Sequence, residues 1–247
     1  ISVDEARELR LIARRTWRYF ETFVTAADNR LPPDNFQEDP QPVLAQRTSP
    51  TNMGLYLLST LAARDFGWVG TQAALERLEA TLEVMQGLPR YRGHFYNWYA
   101  THDLRPLDPR YVSTVDSGNL AGHLIVIANA CESWQAERCL ADPRVGIADT
   151  LNLACQALQH ASTLSEKLTA QLAPQFEDID AQLNGALMSS ECLADIAGLT
   201  HKALSLVRAA MNEKTDTYSE DVLFWVEALH SSVAQHRDDR HSQANVN

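Results

Sequence analysis

Ser49-Pro50-Thr51-Asn52-Met53-Gly54-Leu55-Tyr56-Leu57-Leu58-Ser59-Thr60-Leu61-Ala62-Ala63-Arg64 sets the fold class. Serine before proline marks a helix start, because Ser supplies an N-cap oxygen and Pro a pre-set φ where no amide donor is needed. Met53 to Ala63 is then apolar nearly all round until Arg64, Asp65 and Gly67, as in a helix covered on most faces. Working outward, Ser2-Val3-Asp4-Glu5 is a capping box that opens a helix ending by Asp28, with Leu9, Ile12, Trp17, Phe20 and Val24 on its stripe. The Pro-rich stretch from Pro32 to Pro50 is excluded from helix and central strand and reads as a long ordered loop or lid. Thr71 caps a third helix in which Leu75, Leu78, Leu82 and Met85 share a face, with Glu76, Glu79 and Glu83 outside and Gly87 at its end.

His94 to Tyr99 has strand or hairpin character, and a fourth helix starts around Asp116 and Ser117 and carries Leu120, Leu124, Ile127 and Ala130. Further helices are expected near 147–171, 175–197, 199–213 and 217–236, the last opened by a second capping box, Thr217 to Glu220. The expected fold is all-α. Composition divides the chain: fifteen of the nineteen aromatics lie at or before Trp134, and nine of the ten prolines at or before Pro143. A boundary therefore falls near 135–146, separating a first part, 1–140, from a second, 141–247, rich in Ala, Leu, Gln and Ser. No side-chain pattern repeats at a solenoid period.

The 247 residues, 45% of them hydrophobic, suffice for a real core. A net charge of −11 is the wrong sign for tracking phosphates, so no nucleic-acid partner is expected. No apolar run reaches the roughly 18 to 20 residues that span a bilayer, and no signal-peptide pattern precedes the first helix. The start at Ile1, without an initiator Met, reads as an internal piece of a longer polypeptide. Cys131, Cys139, Cys155 and Cys192 lack metal or redox spacing and are expected as buried free thiols in a reducing compartment.

Polar chemistry concentrates in two places, the start of the helix at Ser49 and the run from Gly93 to Asn119. The second holds His94, Asn97, Trp98, Tyr99, Asp103, Asp108, Asp116 and Asn119. Flat aromatics among Asn, Asp and His suit a sugar ring, whose C–H faces stack on indole or phenol while its hydroxyls need directional partners. Each residue also has a structural reading. Asp116 and Ser117 can cap their helix, Asn52 can satisfy local backbone, and His123 reads as a hydrogen-bonded core imidazole. Adjacent strand residues face opposite ways, so only one of Trp98 and Tyr99 is expected to line a cleft. No metal site is expected from His94, His102, Asp103 and Asp116, whose segments would have to converge, and no cofactor is expected.

Several strings together resemble one family: Arg47 to Gly67, Leu75 to Leu82, Gly93-His94-Phe95-Tyr96-Asn97-Trp98-Tyr99, Leu104 to Tyr111, and Val115-Asp116-Ser117-Gly118-Asn119-Leu120-Ala121-Gly122-His123-Leu124. They closely resemble the internal domain of bacterial cyclic β-1,2-glucan synthases, specifically over about 45–134, more loosely over 3–44 and weakly beyond 145. The resemblance implies a membrane-embedded, multidomain enzyme of the bacterial inner membrane. Its glycosyltransferase module polymerises glucan from UDP-glucose, its internal domain closes the chain by transglycosylation, and a phosphorylase-like module trims it. It further implies a glucoamylase-like (α/α)6 barrel, here truncated, since the eight helices read above fall short of six pairs. The second part is then a helical insertion, and this segment faces the cytoplasm.

Retaining ring closure needs two carboxyl groups about 5 to 5.5 Å apart. The resemblance implies that this pair lies beyond Asn247, so the fragment alone is expected to be inactive. Asn52, His94, Asn97, Trp98, Tyr99, Asp116 and Asn119 are the expected substrate-binding residues, with β-1,2-glucan and the other domains of the synthase as partners. The alternatives are a non-catalytic carbohydrate-binding module and a helical docking module of the same synthase.

Overall fold

Ser2 and Glu5 begin the first helix by exchanging two bonds: Ser2 N donates to Glu5 Oε2 (2.7 Å) and Glu5 N to Ser2 Oγ (3.2 Å). That first bond also holds the Glu5 carboxyl below its ordinary value. The computed structural model describes residues 1–136, 142–161, 166–185, 188–211 and 217–244, apart from the side chains of 167, 217, 218 and 244. The helices among them are α1 (Val3–Phe23), α2 (Pro50–Asp65), α3 (Thr71–Gly87), α4 (Thr114–Ala136), α5 (Arg144–His160), α6 (Glu166–Leu183), α7 (Ser190–Met211) and α8 (Thr217–Ala244). Strands β1 (Phe36–Gln37), β2 (Val43–Leu44), β3 (Arg47–Thr48), β4 (Arg90–Tyr91), β5 (His94–Phe95) and β6 (Tyr99–Ala100) form three antiparallel pairs, β1 with β2, β3 with β6 and β4 with β5. The fold is mainly α, and no described helix is long and apolar enough to cross a membrane.

The chain divides into two compact units. One comprises Ile1–Arg14, Arg64–Ala73 and Leu140–Asn247, the other Arg15–Ala63 and Ala74–Cys139. In the first, α5 packs on α6 and α8, and α7 packs on the same two helices, closing a ring of four. Ile147, Leu151, Ala154 and Leu158 of α5 recur at helical spacing and meet Leu172, Phe176, Leu193, Ile196, Val226 and Leu229 in one buried cluster. Each such buried aliphatic or aromatic side chain stabilises by about 1.5 to 3 kcal/mol.

Helix limits in this bundle differ from expectation. Pro174 was expected to separate two helices but lies inside α6. Proline removes only one backbone donor, and Leu168, Leu172, Phe176, Ile179 and Leu183 stay buried on one face across it. Helix α7 also runs through Gly198, where a break was expected. It starts instead after Ser189, whose Oγ accepts from Cys192 N (3.1 Å). The side chains of the capping box at Thr217 lie outside the described residues, as does Cys139. Cys131, Cys155 and Cys192 are half-buried free thiols.

The stripe expected for α1 also needs correction. Leu9 and Ile12 are both 55% exposed, whereas Leu11 and the fully buried Arg14 face inward. Hydropathy places an arginine outside, but the Arg14 guanidinium packs over Trp225 at 5.1 Å and Trp68 at 5.9 Å, while Nε donates to Thr150 Oγ1. Asp149, buried nearby, accepts from Arg10 Nη2 (2.6 Å) and Trp68 Nε1 (2.8 Å). The start of α3 is capped from far along the chain: Thr71 N and Gln72 N donate to the two carboxylate oxygens of Asp239, at 2.6 and 3.0 Å.

The second unit is built differently. Leu31, Met53, Leu57, Leu78, Met85, Tyr99, Leu120 and Ile127 form its apolar cluster, joined by polar ties between loops. Asp28 accepts from Thr101 Oγ1 (2.8 Å) and Gln46 Nε2 (3.3 Å). Asn29, in the left-handed region with φ 52°, donates to Thr101 O (2.7 Å). Pairing of Arg47 with Ala100 and Thr48 with Tyr99 fixes the chain just before α2. Arg92 and Gly93, both at positive φ, turn the β4–β5 hairpin, the backbone geometry such two-residue turns require.

Candidate functional site

Helices α2 and α4 both begin at serine caps: Ser49 Oγ accepts from Asn52 N and Ser113 Oγ from Asp116 N, each at 3.2 Å. The cap of α4 is therefore Ser113, and Asp116 sits in the first turn with its carboxylate turned to other partners. Asn119 Nδ2 donates to Thr51 Oγ1 (3.2 Å), linking the two helix starts. One turn further, His123 packs its ring against the backbone at Gly54, where no Cβ intervenes. Its Nδ1 is enclosed without a hydrogen-bond partner, unlike the bonded core imidazole expected.

Around these starts two short networks meet on one indole. In the first, Asn97 Nδ2 donates to Asp116 Oδ2 (2.9 Å), and its Oδ1 accepts from Trp98 Nε1 and Tyr111 OH, both at 2.8 Å. Asn97 is buried and every polar atom of its amide has a partner, so it fixes the rotamers around it. In the second, Asp34 Oδ2 accepts from Arg47 Nε (3.1 Å) and Nη2 (2.9 Å), while Oδ1 accepts from Asn52 Nδ2 (3.1 Å). The Arg47 guanidinium so held lies over the Trp98 ring at 4.7 Å. Arg47 covers one indole face; Trp98 is half-buried overall.

Tyr99, its neighbour, has no exposed surface. Its OH donates to Pro89 O and accepts from Tyr96 N, both at 2.8 Å, and burial pushes the phenol up to about 12. Of the adjacent pair, Trp98 alone retains exposure; it precedes β6, in which Tyr99 and Ala100 are both buried, so strand alternation is not the cause. Six of the seven expected residues thus lie in or beside the cluster: Asn52, Asn97, Trp98, Asp116 and Asn119 in its bonds, and Tyr99 beneath it. His94 is exposed in the outer hairpin and takes part in none of these bonds. Asp103 is paired with Arg105 at 3.0 Å, and Asp108 with Arg110 at 3.4 Å.

Asp34 and Tyr111 were not singled out in the sequence. Asp34 sits in the Pro-rich segment, and its link to Arg47, thirteen residues on, has no local spacing that would reveal it. With both oxygens engaged by cationic or amide donors, Asp34 is a fixed acceptor. Asp116, half-buried, has one carboxylate oxygen engaged by Asn97, and a carboxylate is the kind of directional acceptor a hydroxyl needs. Among the described residues no three His, Cys, Asp or Glu side chains converge as a metal site. Tyr19, whose OH donates to Pro33 O, is also pushed up to about 12, by burial and then by the Asp34 charge.

No family model matches the chain. Over 134 residues, 54% of its length, it is 61% identical to the cyclic beta-(1,2)-glucan synthase NdvB of Rhizobium meliloti (strain 1021). That stretch spans 5% of the synthase, so the chain corresponds to a small part of a much larger protein. The resemblance to this family is thereby shown, and the chain is similar to a segment of a cyclic β-1,2-glucan synthase.

Proposed function

We propose that this chain supplies substrate-positioning loops to the domain of a cyclic β-1,2-glucan synthase that converts linear glucan to rings by transglycosylation. The observation that carries the reading is the indole of Trp98, backed by Arg47 on one side and bordered by Asn97 and Asp116. A glucose ring stacks on the remaining indole face, and hydroxyls bond to Asp116 and to the amide groups at the starts of α2 and α4. Pre-set rotamers lower the ordering cost of binding, because Asn97 and Asp34 already hold their neighbours.

In this reading residues 1–140 form the first part of an (α/α)6 barrel-like domain and 141–247 a helical insertion. The segment faces the cytoplasm as part of an inner-membrane protein, and the paired carboxyl groups of a retaining mechanism come from another part of the synthase. Asp34 is excluded from the acid role by its bonds to Arg47 and Asn52. A second reading, a docking module of the same synthase, is favoured by α4, on which Val115 is 69% and Ile125 64% exposed.

Incubation of the purified chain with linear β-1,2-glucan tests the proposal. Binding in a titration calorimeter, with no cyclic or shortened product by chromatography, is expected. Absence of binding overturns the substrate role, and turnover overturns the assignment of catalysis to another part of the synthase.

A further inference from the structure

Tyr111 belongs to two neighbourhoods. Its OH donates to Asn97 Oδ1 and its carbonyl accepts from Asn97 N (2.9 Å), so both ends are fixed. Its ring also lines a separate cavity of about 340 Å³, shared with Tyr91, Tyr96, Arg110 and Val112. That volume lies at the small end of the range of roughly 300 to 1,000 Å³ that holds small ligands. Tyr96 is held by an edge contact to Tyr99 with ring centres 6.5 Å apart, and Tyr91 by the β4–β5 hairpin. Three phenols, one guanidinium and one valine make a lining without carboxylates. It offers flat apolar faces, hydroxyls that donate and accept, and a cation to donate, which are the complements of a neutral polyhydroxylated ring.

We propose that this tyrosine pocket is a second sugar subsite, holding another glucose ring of the same β-1,2-linked chain while Trp98 holds the first. The inference rests on the proposed function and deepens it. Tyr111 joins the two places through Asn97, so a chain stacked on Trp98 continues along a wall that is already in position. Binding then grows stronger with chain length, and the tyrosines contribute only when the ligand is long enough to reach them.

Titration of the purified 247-residue chain with the β-1,2-linked glucose disaccharide and pentasaccharide tests this. The pentasaccharide should bind more tightly than the disaccharide. Tyr91→Ala, at an exposed hairpin position, should weaken the pentasaccharide by about 2- to 12-fold, the span expected for losing one aromatic contact. Its disaccharide affinity should stay unchanged, with far-ultraviolet circular dichroism confirming the fold, and Arg110→Ala should repeat the pattern. Equal affinity for the two lengths, equal losses for both ligands, or no loss in either variant overturns the second subsite. If Trp98→Ala weakens disaccharide binding in those cases, the proposed function stands. A chain that binds neither ligand overturns both.

Discussion

The ring of α5 to α8 and the loop-rich unit around α2 and α4 hold their side chains in place by different means. In the ring, Leu172, Ile179, Leu193, Ile196, Val226 and Leu229 interlock as apolar volume, and stability follows from area removed from water. In the loop-rich unit, Asp28, Asp34 and Asn97 each bond several partners, and these polar hubs fix rotamers where helix packing does not reach. Apolar packing stabilises without orienting hydrogen-bond groups toward solvent, whereas hubs orient them. A surface that must meet a directional ligand is built from the second kind.

The largest test of that contrast is Trp225→Ala. Removing a 4% exposed indole from the ring should lower unfolding free energy by about 3 to 5 kcal/mol, read by urea titration. A loss below about 1 kcal/mol would mean that the ring is not held by its apolar interior. Next comes the neighbouring pair Trp98 and Tyr99, where the two means of support meet. Tyr99→Ala should destabilise by a similar 3 to 5 kcal/mol, whereas Trp98→Ala should leave the urea midpoint nearly unchanged and weaken β-1,2-glucan binding. Equal destabilisation by both would make Trp98 a core residue and move the platform elsewhere.

That pair also marks how far the sequence could be read. Alternation along a strand says that one of two adjacent aromatics faces outward, but only the hydrogen bonds of the Tyr99 phenol to Pro89 and Tyr96 decide which. Helix starts at Ser2 and Ser49 were legible because their chemistry is local, and the strand or hairpin character read at His94 to Tyr99 left the turn at Arg92-Gly93 to the structure. Arg14 facing inward, Pro174 inside α6, and Asp34 tied to Arg47 and Asn52 were not, because each is set by partners that no nearby spacing reveals. In the candidate site the residue types were readable, while the role of each depended on long-range contacts.

A smaller effect should follow Asp239→Ala, which strips the acceptor from Thr71 N and Gln72 N. A loss of about 0.5 to 2 kcal/mol is expected, with Asp239→Asn recovering part of it. No loss in the alanine variant would show that water replaces the cap. The smallest is a pH effect confined to the bundle unit. Burial holds His236 below the ordinary histidine value of about 6.5, and its Nε2 donates to Gly67 O (2.9 Å). The unfolded chain therefore takes up the proton first on acidification, so stability falls as pH drops through about 6.5 and levels off below the folded-state value. His236→Gln should flatten that slope between pH 7 and 5; an unchanged slope would assign it to other groups.

The Asp239 cap carries a consequence for the order in which the molecule can be made. The first turn of α3 leaves the ribosome 168 residues before the carboxylate that completes it. At roughly 5 to 20 residues per second, that is a wait of about 10 to 30 s. During synthesis the helix start stands open to water or to any passing acceptor, and only the arrival of α8 closes it. A nascent chain halted before residue 239 should therefore exchange the Thr71 and Gln72 amide protons freely, and extension far enough for α8 to emerge should protect them in a single late step.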